Sequence, residues 1–131
     1  MDKESTGLKF YGEYPDKPND KKVRVISKNK RIPVVNGTIN KILIEFFVST
    51  DNMHCGIFEI APNSRGDEVS PHEGDEFYYI LQGKGIFCVN GDDYYTVEEE
   101  EACYLPAGSK HYWLNFSNEK LRVLFVAAPD L

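Results

Sequence analysis

From Val23 onward the sequence consists of short runs rich in β-branched and aromatic residues, each closed by turn residues, and no stretch carries the period of a long amphipathic helix. The runs fall at 23–26, 42–48, 56–60, 77–81, 86–89, 94–97 and 121–126. Between Val89 and Tyr94 stands Asn90-Gly91-Asp92-Asp93, and Asn-Gly marks a tight hairpin because both residues tolerate positive φ. Strands this short, spaced by Gly and Pro turns, predict one antiparallel sandwich or barrel.

The size supports a single barrel. A chain of 131 residues with 41% hydrophobic content can bury one sizeable core. Residues 1 to about 22 are polar and turn-rich, so 1–35 reads as an N-terminal arm or extra edge strands and 36–131 as the barrel. The charge balance, 15 Lys+Arg against 21 Asp+Glu, argues against a nucleic-acid partner, which needs a concentrated basic surface. No run approaches the roughly 20 apolar residues of a membrane span, and the first residues lead into no apolar signal segment, so a cytoplasmic protein is expected. Cys55, Cys88 and Cys103 lack paired spacing and read as free thiols. The four consecutive glutamates at 98–101 repel one another and read as a solvated turn.

Two segments carry chemistry. In the first, His72 and Glu76 flank a Gly-containing turn, with Glu76 opening a strand. In the second, Pro106 and Gly108 form a turn that delivers His111 to the start of another strand. If these strands are neighbours, His72, Glu76 and His111 make a two-histidine, one-carboxylate set, the ligand type suited to Fe, Mn, Ni or Zn with coordination positions left open. His54 has no such partner in sequence and reads as an ordinary histidine.

These segments resemble the two motifs of the cupin family. Pro106, Gly108, His111 and Asn115 match the second motif in full, while His72, Glu76 and Gly83 match the first. Ser70 stands where the motif has its first histidine, and Glu100 and Ser64 stand where a glycine is usual. The resemblance covers about residues 40–128 and implies an all-β jelly-roll barrel, or double-stranded β-helix, with a divalent metal at its mouth and frequent homodimers. With Ser70 in the ligand position, the usual four-ligand set shrinks to three. That reduced set is similar to one used by an iron epoxidase of the family. The segment 72–77 also resembles the cupin half of helix-turn-helix regulators, but residues 1–40 show no recognition helix.

Alternation extends the site. If Glu76 and His111 point inward, Tyr78, Trp113 and Asn115 share their faces and become candidate pocket walls, with Ser70 nearby. The opposite faces, with Phe77, Tyr79, Leu81, Tyr112, Leu114 and Phe116, are also apolar. They predict a covered outer surface, by a second subunit or by residues 1–35. The expected function is a metal-dependent enzyme on a small organic molecule, oxygenase first and isomerase or lyase next. The alternative is a non-catalytic sensor or binding module.

Overall fold

The computed structural model describes residues 23–50, 52–69 and 73–129. Its strands are β1 (Ile32–Asn36), β2 (Ile42–Ser49), β3 (His54–Ile60), β4 (Ser64–Arg65), β5 (Asp75–Gln82), β6 (Lys84–Val89), β7 (Asp93–Glu98), β8 (Ala102–Leu105), β9 (His111–Asn115) and β10 (Leu121–Ala128). Strand alternation explains the core. Along β10, Leu121, Val123, Phe125 and Ala127 are buried while the residues between them are partly exposed, so one face is committed to the interior.

Two sheets close over that interior. One runs β1-β2-β3-β10-β5-β8 and the other β4-β9-β6-β7, and the strand pairings are antiparallel. This is the jelly-roll barrel that the sequence predicts. Phe46, Ile60, Tyr78, Ile80, Phe87, Trp113, Leu121, Val123 and Phe125 fill the space between the sheets. Each such side chain contributes roughly 1.5–3 kcal/mol by leaving water.

Local chemistry sets the corners. The β6–β7 hairpin turns through Asn90 at φ 53 and Gly91 at φ 88, with Val89 paired to Asp93. The glutamate run is an exposed turn, with Glu100 at φ 70 and the Glu101 carboxylate accepting the Glu98 N–H at 2.8 Å. Gly56 sits where β2 bulges between Phe46 and Val48, and the Glu45 carbonyl fills the space a β-carbon would need.

The structure departs from the sequence reading at the N-terminal side. Residues 23–26 form no strand, and Val23 is 96% exposed. Among the described residues the first strand is β1, at the edge of its sheet and paired with β2 through Ile32–Asn36. Among the described residues no helix is long and apolar enough to cross a membrane.

Candidate metal centre

Glu76 is the second residue of β5 and His111 the first of β9. They lie in different sheets, but both strands start at the same end of the barrel. The two side chains meet there, with Glu76 Oε1 3.2 Å from His111 Nε2 and side-chain exposures of 6% and 3%. His111 is fixed by its backbone, which exchanges hydrogen bonds with Val69 at 2.7 and 3.2 Å, and by its ring. Nδ1 lies 3.3 Å from the Ser109 carbonyl oxygen, which can accept a hydrogen carried there. In that tautomer the Nε2 lone pair would face the carboxylate, the arrangement that suits a cation shared by the two.

The spacing fits a metal. Two donors about 2.1 Å from one ion and at right angles are about 3.0 Å apart, close to the observed separation. A carboxylate with an imidazole whose far nitrogen is tied to a carbonyl is also the donor chemistry of a metal-ligating histidine. Among the described residues no group of three His, Cys, Asp or Glu side chains converges. His72 and Ser70, expected as ligand and pocket residue, lie outside the described residues.

Tyr78 and Trp113 form the floor directly beneath the pair. Tyr78 is buried, and burial together with the neighbouring Glu76 carboxylate pushes its pKa well above the usual phenol value. Trp113 Nε1 is buried without a well-formed hydrogen bond among the described residues, although it leans toward the Tyr78 oxygen and slightly offsets that rise. Phe87, which has no motif to announce it, stacks on Trp113 at 4.5 Å and meets the His111 ring edge-on at 5.9 Å. Phe58 packs against Tyr78 and Trp113 at 6.2 and 5.9 Å. This aromatic layer excludes water from below and so strengthens electrostatic interactions at the pair.

Asn115, expected as a pocket wall, has a structural task at the far end of the barrel. Its amide donates to the carbonyls of Ile60, Ala61 and Glu119 at 3.1, 3.2 and 2.7 Å, and its oxygen accepts from the Ser117 N–H and hydroxyl at 3.0 and 2.8 Å. A shallow groove at that end, bordered by Gly83, Glu98, Glu101, Phe116 and Glu119, is likewise remote from the pair.

The cupin-domain family model matches residues 56–127, more than half of the chain. The chain belongs to the cupin family. Among relatives of this cupin, the tetracenomycin polyketide synthase protein TcmJ of Streptomyces glaucescens is 28% identical over 96 residues, 71% of this chain and 62% of that protein. The chain therefore spans less than two thirds of that relative. The oxalate-binding protein of Thermotoga maritima is 30% identical over 102 residues, 74% of this cupin and 84% of the relative. The crystal structure of Fe(II) HppE superposes with a TM-score of 0.73 at 13% identity, over 82% of this chain and 62% of that one. At that identity the likeness shows the fold alone.

Proposed function

We propose that this cupin holds a divalent metal ion through His72, Glu76 and His111 and acts with it on a small organic molecule, with oxygenase chemistry ahead of isomerase or lyase chemistry. The observation that supports this reading is the pairing of Glu76 Oε1 and His111 Nε2 at 3.2 Å, with the other nitrogen of the ring committed to Ser109. His72 enters through chain connectivity. The stretch 70–72 joins Val69, which is bridged to His111, to the segment that opens β5 one residue before Glu76.

When bound, an ion of the iron, manganese, nickel or zinc type would supply Lewis acidity or oxygen activation. The chain's own residues have separate tasks. Glu76 brings negative charge to a buried position, the Tyr78 hydroxyl steadies that carboxylate, and Ser109 sets the ring of His111. Trp113 and Phe87 close the floor and keep water from the reacting side. Ser70 is proposed to line the entrance.

A second reading is a binding protein without turnover, favoured by the name of the 30% identical relative, an oxalate-binding protein. Metal analysis of protein purified without chelators tests the site first. Near-stoichiometric metal that falls to background in Glu76→Ala is expected. Background metal in the unaltered protein, or metal that survives Glu76→Ala, would remove the three-ligand site. Anaerobic Fe(II) loading followed by oxygen-uptake measurements with a panel of small acids, amines and thiols then separates the two readings. Uptake supports the oxygenase, and a flat panel leaves the binding protein.

A further inference from the structure

Glu76 and His111 come from different sheets, so their separation depends on what ties the two sheets together at the mouth. One such tie is the turn at 106–110, which leaves β8 in the six-stranded sheet and enters β9 in the four-stranded sheet. The turn is exposed apart from half-buried Ser109, and its backbone passes through Gly108 at φ 88. A solvent-facing turn has little core packing to hold it, so hydrogen bonds from neighbouring elements must fix its shape.

Two side chains from neighbouring elements bind its backbone. Asp75 is the first residue of β5 and the chain neighbour of Glu76, and the Ala107 N–H donates to its Oδ1 at 2.8 Å. Asn90 stands at the tip of the β6–β7 hairpin. The Lys110 N–H donates to Asn90 Oδ1 at 3.1 Å, and the Asn90 N–H donates to the Lys110 carbonyl at 2.9 Å. These two bonds close a ring on the residue before His111 and extend the β6–β9 pairing one step beyond Val89 and His111. The turn is thus clamped from both sides, by the strand of Glu76 and by the sheet of His111. Position 90 meets two demands at once. Its φ of 53 suits glycine or asparagine, and of these only asparagine carries an acceptor for the Lys110 N–H.

Asp75 and Asn90 face water. There a hydrogen bond replaces one to solvent and adds little to stability. Placement is a different matter, because a ligand set must be held within about 0.5 Å of its working geometry. Loosening this turn would shift the His111 ring against Glu76 and leave the core intact.

We propose that Asp75 and Asn90 are positioning residues of the metal centre, which fix the 106–110 turn and thereby set the separation of Glu76 and His111. This rests on the metal reading above for what the pair holds, and adds the residues that keep its two donors in register.

The test uses the full-length protein loaded with Co(II), whose visible spectrum reports the geometry around the ion. Asp75→Ala and Asn90→Gly each remove one clamp, and the glycine keeps the hairpin conformation. Each should weaken Co(II) about tenfold or more, the usual cost of losing an outer support of a metal ligand. Each should also alter the spectrum, with a melting temperature within about 5 °C of the unaltered protein. Asp75→Asn and Asn90→Asp keep the acceptor oxygen and should bind Co(II) within about threefold of the unaltered protein. Tyr104 also interacts with the Asp75 carboxylate, and Tyr104→Phe, which leaves the bond to Ala107, should likewise bind normally. Unchanged affinity and spectrum in Asp75→Ala and Asn90→Gly overturns the proposal. So does an Asp75→Asn protein as weak as Asp75→Ala, which would make charge the cause, or a fall in melting temperature far beyond that range in both variants, which would make the clamps structural. Imidazole signals of the three histidines in NMR spectra of the metal-free protein keep this result separate from the metal reading. Those of His111 should be shifted or broadened in both clamp variants. If the unaltered protein takes up no Co(II), the metal reading fails, and His111 signals that stay unmoved in the variants refute the positioning role on their own.

Discussion

Glu76 on β5 and His111 on β9 belong to different sheets, and their carboxylate and imidazole meet 3.2 Å apart because both strands begin at the same mouth of the barrel. The aromatic layer beneath them keeps this encounter dry. Its consequence is that small changes to the polar partners of either group should be felt in the metal binding proposed for the pair, while changes on the far side of the barrel should be felt only as stability.

Tyr78→Phe tests the first half of that statement. The hydroxyl of Tyr78 interacts with the Glu76 carboxylate, so its removal should leave the aromatic packing in place and free the carboxylate to turn. Loss of an outer hydrogen bond to a metal ligand typically costs about tenfold or more in affinity. Competition with a chelator should show a loss of that order, with a change in folding free energy of about 1 kcal/mol. Unchanged metal affinity would mean that Tyr78 does not steady the ligand.

Parts of this site were open to sequence reading and parts were not, for a physical reason. The spacing of Pro106, Gly108 and His111 is local turn chemistry, and it correctly sets His111 at the first position of a strand. Alternation places Tyr78, Trp113 and Asn115 on inward faces, but a period of two gives the face and not the depth. Asn115 therefore shares a face with His111 and lies at the other end of the barrel. The register that sets His54 opposite Ala127, far along the chain, is equally hidden, because no local pattern specifies register between distant strands. The reading of 1–35 as an arm or extra edge strands leaves β1 unplaced, and the structure sets it on a sheet edge, where Pro33 is tolerated. The pattern at 23–26 resembles a strand, yet those residues carry no strand in the fold.

Asn115→Ala tests the second half. The amide satisfies three carbonyls and two donors of Ser117 where β3 ends and the chain turns into β10. Several of these groups would be left in a buried setting, so a loss of about 3 kcal/mol is expected. Urea denaturation should show it. Metal content of the folded protein should stay unchanged, and a loss of metal would tie Asn115 to the site after all.

Asp67 gives the fold a pH dependence at the acid end. Burial alone would raise its pKa, but the Thr38 hydroxyl at 2.6 Å, the N–H groups of Ile39 and Thr38 at 2.9 and 2.7 Å, and nearby Arg65 outweigh it and hold the carboxyl below its usual 3.8. A lowered pKa in the folded state means that the stabilisation is present above pH 3.8 and is lost as the pH falls through the folded value. Asp67→Ala should therefore cost about 1 kcal/mol near pH 7, a figure kept small because the site is only half-buried. That difference should shrink below pH 3.8. A difference independent of pH would show that packing, and not the charge, is what Asp67 contributes.

The outer face of the six-stranded sheet leads to a prediction about assembly. Phe77 on β5 stands opposite Val126 of β10 and Tyr104 of β8, and Phe77 and Tyr104 are 42% and 66% exposed. Tyr79 and Leu124 pair one row away on the same face. An apolar stripe across three adjacent strands is more than scattered surface hydrophobicity. Because one face is offered by every copy, a two-fold homodimer can bury it against itself. Sedimentation of the full chain is expected to show a dimer, and Phe77→Glu should raise its dissociation constant about a hundredfold, close to 3 kcal/mol, by placing two carboxylates near the axis. Metal content should be unaffected. A monomeric unaltered protein would assign the covering of this face to the N-terminal residues instead, and a dimer indifferent to Phe77→Glu would move the interface to the outer face of the other sheet, where Leu114 and Tyr112 lie.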